Sequence, residues 1–200
     1  MSFSDALPAS LPAVIRWGAL VLAALTTPAL AQTADTGTGN VALNGRVAPV
    51  CILGAPSQTT IDLGQLAASS GARAGRIATI APQGVTLPGS FCNFAGSTVT
   101  VAASALVSAD ATTPPGGFAR AVNYTATASN WAAGNASATT AALANGAAQP
   151  SSGTSATQAT PRLADIAVAL SAFAVPGDAI LISGTYSGSV TITLGPALAP

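Results

Sequence analysis

Near its C-terminus the sequence reads Gly184-Thr-Tyr-Ser-Gly-Ser-Val-Thr-Ile-Thr-Leu194, in which large apolar residues alternate with serines and threonines. Tyr186, Val190, Ile192 and Leu194 share one parity. Side chains two residues apart lie on the same face of a β-strand, so this pattern predicts a half-buried strand.

Other stretches repeat this alternation at short intervals. The clearest predict strands within residues 41–47, 60–66, 97–102, 121–128, 166–170 and 173–175, and weaker ones occur at 76–80, 85–87 and 180–182. No segment longer than about ten residues shows competing helical spacing. The sequence therefore predicts an all-β protein with an immunoglobulin-like β-sandwich fold.

One long segment does not fit the strand pattern. Residues 129–160 consist almost wholly of Ala, Gly, Ser, Thr, Asn and Gln, with Trp131 and Leu143 as the only large apolar residues. Such a composition predicts a long surface excursion with at most one short strand.

The charged residues exclude most catalytic chemistry. The chain has six Lys plus Arg, six Asp plus Glu, no His and a net charge of zero. A Ser-His-Asp triad or a Cys-His pair cannot form without histidine, and two cysteines cannot complete a four-ligand zinc site. The arginines form no basic stripe for nucleic acid. We therefore expect no enzyme activity, no catalytic residues, no metal site and no cofactor.

The N-terminus has the pattern of a secretory signal peptide. Arg16 precedes a short apolar run, and Ala29 and Ala31 supply the small residues of a cleavage site. We therefore divide the chain into a signal peptide at residues 1–31, an N-terminal arm at 32–45 and a β-sandwich domain at 46–200. Export places the protein in the periplasm and then at the cell surface or outside the cell.

Export also indicates the chemical state of the two cysteines. Cys51 and Cys92 are the only pair in the chain. An even number of cysteines in a small exported domain is typical of a structural disulfide, whereas a redox site usually has closer spacing. We expect one disulfide between them.

The two ends of the mature chain leave two arrangements open. An alternating strand precedes Cys51 and another lies near the C-terminus. They can pair within one molecule, or the arm of one copy can supply a missing strand to another. Residues 32 to 45 can extend to about 45 Å at about 3.3 Å per residue, which is enough to cross a neighbouring sandwich. Composition does not choose between these arrangements.

The order of these features resembles that of subunits of chaperone–usher pili, and specifically the spore coat protein U-like family. The resemblance lies in the signal peptide followed by Val41-Ala-Leu-Asn-Gly-Arg-Val47 and Cys51, Ile61-Asp-Leu-Gly-Gln-Leu66, Cys92 before Thr98-Val-Thr-Val101, Val122-Asn-Tyr-Thr-Ala126, Trp131, and the closing stretch to Leu194. Together these pieces span almost all of the mature chain.

The resemblance implies an incomplete sandwich and a structural function in a fimbria-like fibre used for adhesion and biofilm formation. Its partners would be a periplasmic chaperone, an outer-membrane usher and other subunits, most simply further copies of this chain. The donor strand would include Val41, Leu43, Gly45 and Val47, with Gly45 where two backbones approach. Val190, Ile192 and Leu194 would line one side of the acceptor groove.

An alternative is a self-complete secreted sandwich that binds a ligand such as a carbohydrate. Tyr124, Asn130 and Trp131 are the residues that would form its binding face. Aromatic rings of this kind more often pack in a core or a loop, so simple packing is the competing interpretation.

The signal peptide makes a direct prediction about the exported protein. We expect cleavage after Ala31, so that intact mass measurement finds a mature chain beginning at Gln32. A mass that corresponds to a chain starting at Met1 or Ser2 would contradict the export hypothesis.

Overall fold

The computed structural model describes residues 37–148 and 151–197. The predicted signal peptide at residues 1–31 therefore lies outside the described residues. The chain divides into two units, Met1–Gly45 and Arg46–Pro200. In the described part of the first unit, residues 37–45 form no strand, and the side chains of Val41 and Leu43 are 80% and 92% exposed.

The regular secondary structure of the second unit is almost entirely β-strand, as the sequence predicts. Its strands are β1 (Cys51–Ile52), β2 (Gln83–Cys92), β3 (Ser97–Ala103), β4 (Leu106–Ser108), β5 (Phe118–Ala119), β6 (Ala121–Ser129), β7 (Ala136–Thr139), β8 (Ser151–Thr154), β9 (Arg162–Ala174), β10 (Ile180–Leu181), β11 (Tyr186–Ser187) and β12 (Val190–Pro196). The described helices are two single-turn 3-10 helices, Gly71–Arg73 and Pro176–Asp178. No helix in residues 37–148 or 151–197 is long and apolar enough to cross a membrane.

The strands form a sandwich-like half-barrel. The main sheet has the order β1-β2-β9-β6-β4-β11, with β7 also paired to β6, and a second sheet has the order β12-β3-β8. The pairs in both sheets are antiparallel, whereas β5 and β10 form a small parallel pair. The core lies between the two sheets, where the inward residues of β3 contact those of β2, β6 and β9.

The alternation in β6 and β3 sets the two faces of this core. Val122, Tyr124 and Ala126 are buried, while the intervening Asn123 and Thr125 are partly exposed. Val99 and Val101 on β3 are equally buried and pack in the same cluster as Tyr124 and Ala126. The predicted strands at 97–102 and 121–128 are confirmed.

The predicted surface excursion at residues 129–160 is wrong. The segment contains β7 and β8, and Trp131 is only 1% exposed, with its indole Nε1 donating to Ser97 Oγ at 3.3 Å. Alanines 136, 138 and 142 are buried as well. Small residues suit this region because the strands approach closely: a Cβ on Gly153 of β8 would overlap the carbonyl oxygen of Ser137 on β7.

Three predicted strands, at residues 41–47, 60–66 and 76–80, are not formed. Asp62 Oδ1 accepts a hydrogen bond from the backbone N–H of Gly64 at 2.8 Å, and this local turn replaces strand pairing. Only an isolated bridge between Ala67 and Ile77 joins the last two of these segments.

The remaining strand predictions have mixed outcomes. Residues 85–87 lie inside the longer β2, and residues 180–181 form β10. Residues 166–170 and 173–174 belong to one strand, β9, which ends one residue before Val175. The closing stretch is two strands rather than one. Tyr186 pairs with Ser108 of β4, whereas Val190 pairs with Ala103 of β3.

The predicted disulfide is confirmed. Cys51 and Cys92 are bonded to each other and lie directly opposite across β1 and β2. The bond fastens the first strand of the domain to the main sheet, and Cys92 is fully buried.

The burial of Trp131 gives a test of the core. We expect Trp131→Ala to lower the free energy of unfolding by about 3–5 kcal/mol, because it removes a large buried side chain and leaves a cavity. The matched control is Leu143→Ala, in the same low-complexity segment but 61% exposed, which we expect to stay within about 0.5 kcal/mol. Urea unfolding measures both. Equal losses in the two variants would contradict the core assignment.

Candidate functional site: an open groove beside the last strand

The last strand of the described residues, β12, pairs with only one other described strand. It pairs with β3 along its whole length, from Val190 opposite Ala103 to Pro196 opposite Ser97. Within the described part of the chain, no strand pairs with its other edge.

The pairing with β3 fixes which backbone groups of β12 remain free. Ser104 N–H donates to Ser189 O, and Ala197 N–H donates to Gly96 O, each at 2.9 Å. In an antiparallel pair, the backbone groups of every second residue form hydrogen bonds with the same neighbouring strand. The backbone N–H and C=O groups of the odd-numbered residues of β12 therefore point to β3. The N–H and C=O groups of Val190, Ile192 and Leu194 therefore point to the open edge.

Beside this edge lies an apolar groove within the second unit. Its volume is about 640 Å³, far more than the roughly 10–15 Å³ that a single water molecule needs. The walls come from β12, from the inner face of β2 and β9, and from the segment that follows β1; they include Val190, Ile192, Val85, Leu87, Val168 and Leu170. No charged side chain is among the described residues that line it.

The wall opposite β12 is irregular. The segment after β1 follows the edge of β2 through Gly54 N–H, which donates to Ser90 Oγ at 3.0 Å, and Ser57 N–H, which donates to Thr86 O at 2.8 Å. Leu53, Ile61 and Leu63 of this segment line the groove. In place of a second regular strand, a loop therefore forms this side.

An aromatic pair lines the groove together with the strands. The rings of Tyr124 and Phe173 stack with centroids 5.8 Å apart, and both residues line the groove. The Tyr124 hydroxyl lies within hydrogen-bond distance of the carbonyl oxygens of Ser104 and Ser189, at 2.9 and 3.1 Å. Burial raises the pKa of Tyr124 above its ordinary value of 10.0, so the phenol remains a neutral donor at physiological pH.

The structure places the sequence-predicted site residues in different environments. Val190 and Ile192 line the groove as expected, whereas Leu194 packs partly buried against the core and is not among the lining residues. Val41, Leu43 and Val47 are at least 80% exposed, and nothing lies within 4 Å of a Cβ built on Gly45.

The aromatic residues of the alternative ligand site are in the core. Trp131 and Tyr124 are 1% and 3% exposed, so neither ring presents a face on which a sugar could stack. Asn130 adopts a positive φ of 71°, and its carbonyl oxygen accepts a hydrogen bond from Arg162. The packing interpretation of these rings is therefore the one that the geometry favours.

Sequence reasoning did not find the second wall of the groove. Leu53 and Pro56 lie in a stretch without alternation, and Phe173 belongs to a strand that was predicted without a partner. The sequence does contain one indication of this irregular wall. Gly54, Pro56 and Gly64 interrupt the apolar pattern, and Gly and Pro weaken or end regular strands.

Tyr124 gives a prediction about stability near the groove. We expect Tyr124→Phe to lower the free energy of unfolding at pH 8 by about 1 kcal/mol, because it removes a buried hydrogen-bond donor. Because the pKa of Tyr124 is raised in the folded state, its contribution to the free energy of unfolding is fully present below pH 10. The contribution is lost as the pH rises through the folded pKa. The difference between the variant and the wild type should therefore shrink as the pH rises above 10. A constant difference across this range in urea unfolding would contradict the assignment.

Comparison of the chain with protein-family models, with curated proteins and with solved structures finds no match. A functional proposal for this chain therefore depends on its own geometry and on the residue pattern of its arm. Two features are available for it: an unpaired strand edge beside an apolar groove, and an exposed alternating segment that precedes Cys51.

Proposed function

We propose that the chain is a structural, non-catalytic subunit of a surface fibre that assembles by donor-strand exchange and serves adhesion and biofilm formation. In this assembly the N-terminal arm of one copy fills the groove of the next copy. The single observation that carries the proposal is the open edge of β12 beside an apolar groove of about 640 Å³.

The groove and the arm have complementary features. A strand laid against β12 would bond the free N–H and C=O groups of Val190, Ile192 and Leu194, which is the geometry of β-augmentation. Alternate side chains of that strand would then enter the apolar groove. Val41 and Leu43 in the arm, and Val47 two residues after its end, are spaced so that their side chains lie on one face of an extended strand. Gly45 is the small residue on the same face.

The size of the hydrophobic contribution favours a durable junction. Burial of a Val or Leu side chain contributes about 1.5–3 kcal/mol, so three such side chains contribute roughly 4.5–9 kcal/mol before the loss of chain entropy. In the described structure all three side chains, Val41, Leu43 and Val47, are at least 80% exposed, so their apolar surface is available for burial. No charged side chain is among the described residues that line the groove, so a strand that fills it does not have to strip water from an ionised group.

The same proposal includes export and assembly partners. The apolar run after Arg16 and the small residues at Ala29 and Ala31 support passage into the periplasm. An open edge strand is prone to uncontrolled pairing. A periplasmic chaperone that covers the edge and an outer-membrane usher that catalyses the exchange would solve this problem.

The proposal predicts a polymer whose junctions are non-covalent but stable. Exported wild-type protein, run on a denaturing gel without boiling, should give a ladder that collapses to the monomer after boiling. A chain that lacks residues 32–45 should give only the monomer. A single monomer band in both samples, from a folded protein, would overturn the proposal and return attention to a self-complete sandwich.

A matched pair of substitutions tests the parity of the arm. Leu43→Asp should abolish the ladder, because it places a carboxylate in the apolar groove. Ala42→Asp adds the same charge one residue earlier, on the face that points away from the groove, and should leave the ladder intact. A ladder that persists in Leu43→Asp, or that is lost equally in both variants, would contradict the predicted register.

A further inference from the structure

The point at which the chain enters the β-sandwich is fixed by one side chain. The side-chain amide of Asn93 donates to Ala48 O at 2.9 Å, and its Oδ1 accepts from Val50 N–H at 2.7 Å. The backbone N–H of Asn93 also donates to Val50 O at 3.1 Å. The backbone from Ala48 onward therefore belongs to the folded domain.

This anchor leaves no linker between a donor strand and its own domain. If Val47 is the last side chain to enter the groove of the next copy, it is separated from the anchored Ala48 by a single Cα–Cα step of 3.8 Å. Consecutive domains must then be in contact around Ala48, because neither can move away without withdrawing Val47.

An exposed apolar patch lies next to this anchor on the outer face of the main sheet. We name it the root patch and define it as Val50, Ile52, Phe91 and Leu163. Ile52 lies opposite Phe91, and Phe91 lies opposite Leu163, so the three form one row across β1, β2 and β9. Val50, Ile52 and Leu163 are 43%, 51% and 73% exposed.

The rest of this outer face is different in character. Farther along β9 the outward positions are Asp165, Ala167 and Ala169. On the neighbouring strand β6, Ser129 lies opposite Ala167 and Thr127 lies opposite Ala169, so these polar residues are on the same face. Among the described outward positions of β2, β9 and β6, large apolar side chains are thus confined to the row beside the chain entry.

We propose that the root patch is an interface with a second copy of this chain, the copy whose groove holds the arm. The inference rests on the proposed function, because donor-strand exchange is what brings that copy to Ala48. Neighbouring strands are about 4.8 Å apart, so the row from Ile52 to Leu163 spans about 10 Å and lies within reach of a domain that contacts Ala48. The patch would exclude water at the junction and limit bending between consecutive subunits.

Site-specific photo-crosslinking tests this interface. Leu163→p-benzoylphenylalanine places a photoreactive group in the root patch, and Ala169→p-benzoylphenylalanine is the matched control on the same strand and the same face, about 20 Å away. Both positions are exposed, so neither substitution disturbs the core. After irradiation of the assembled polymer, we expect covalent dimers that survive boiling from the variant at 163 and none from the control.

The outcomes separate this inference from the proposed function. A heat-sensitive ladder without covalent dimers at 163 would overturn the root-patch interface and leave donor-strand exchange standing. Absence of any ladder would overturn both. The Leu163 variant that also lacks residues 32–45 should not crosslink, and dimers from that truncated chain would show contact that does not depend on the arm, which would also overturn the inference.

Discussion

The unpaired edge of β12 is the constraint on which the functional organisation of the molecule depends. The strand must present Val190 and Ile192 towards a groove that no side chain of the described domain fills, while its backbone bonds β3 only with its odd-numbered residues. Because the main sheet supplies the other apolar wall, the two sheets stay apart along this side. An all-β domain in this state has both an unfilled apolar groove and an exposed strand edge, which is prone to pairing with other chains.

The other side of the sandwich closes with small residues. Ala126, Ala128, Ala136 and Ala138 are buried in the same cluster as Trp131, the largest of the fully buried side chains. Alanines bury little apolar area each, so the close approach of β7 and β8 and their hydrogen bonds have to compensate. The region that looks least structured in composition is therefore part of the core, and the molecule combines a tightly packed side with an open one.

The sequence predicts the parts of this fold in which apolar and polar residues alternate with strong contrast. Residues 97–102 and 121–128 show that contrast, and the disulfide is predicted from the cysteine count together with the expectation of export. Residues 129–160 lack it, because alternation between alanine and serine gives almost no difference in hydrophobicity.

Near Asp62, a side chain that competes for a backbone N–H replaces the expected strand with a turn. The closing stretch divides at Gly188, where a Cβ would come within 2.9 Å of the carbonyl oxygens of Ser104 and Ala105. These close approaches depend on tertiary structure and leave no periodic signal, and the same is true of the irregular wall formed by Leu53, Ile61 and Leu63.

The position of the disulfide has a mechanical consequence for a fibre of the proposed kind. Tension along such a fibre would enter each domain through the arm at Ala48, pass the hydrogen bonds of Asn93, and reach Cys51 three residues later. There the covalent bond to Cys92 transfers the load to β2, which pairs with β9 from Gln83 to Cys92. The two-residue strand β1 could be peeled from the sheet one bond at a time, but the disulfide removes it from the load path. Force would then act along the long β2–β9 pair, whose hydrogen bonds must shear together.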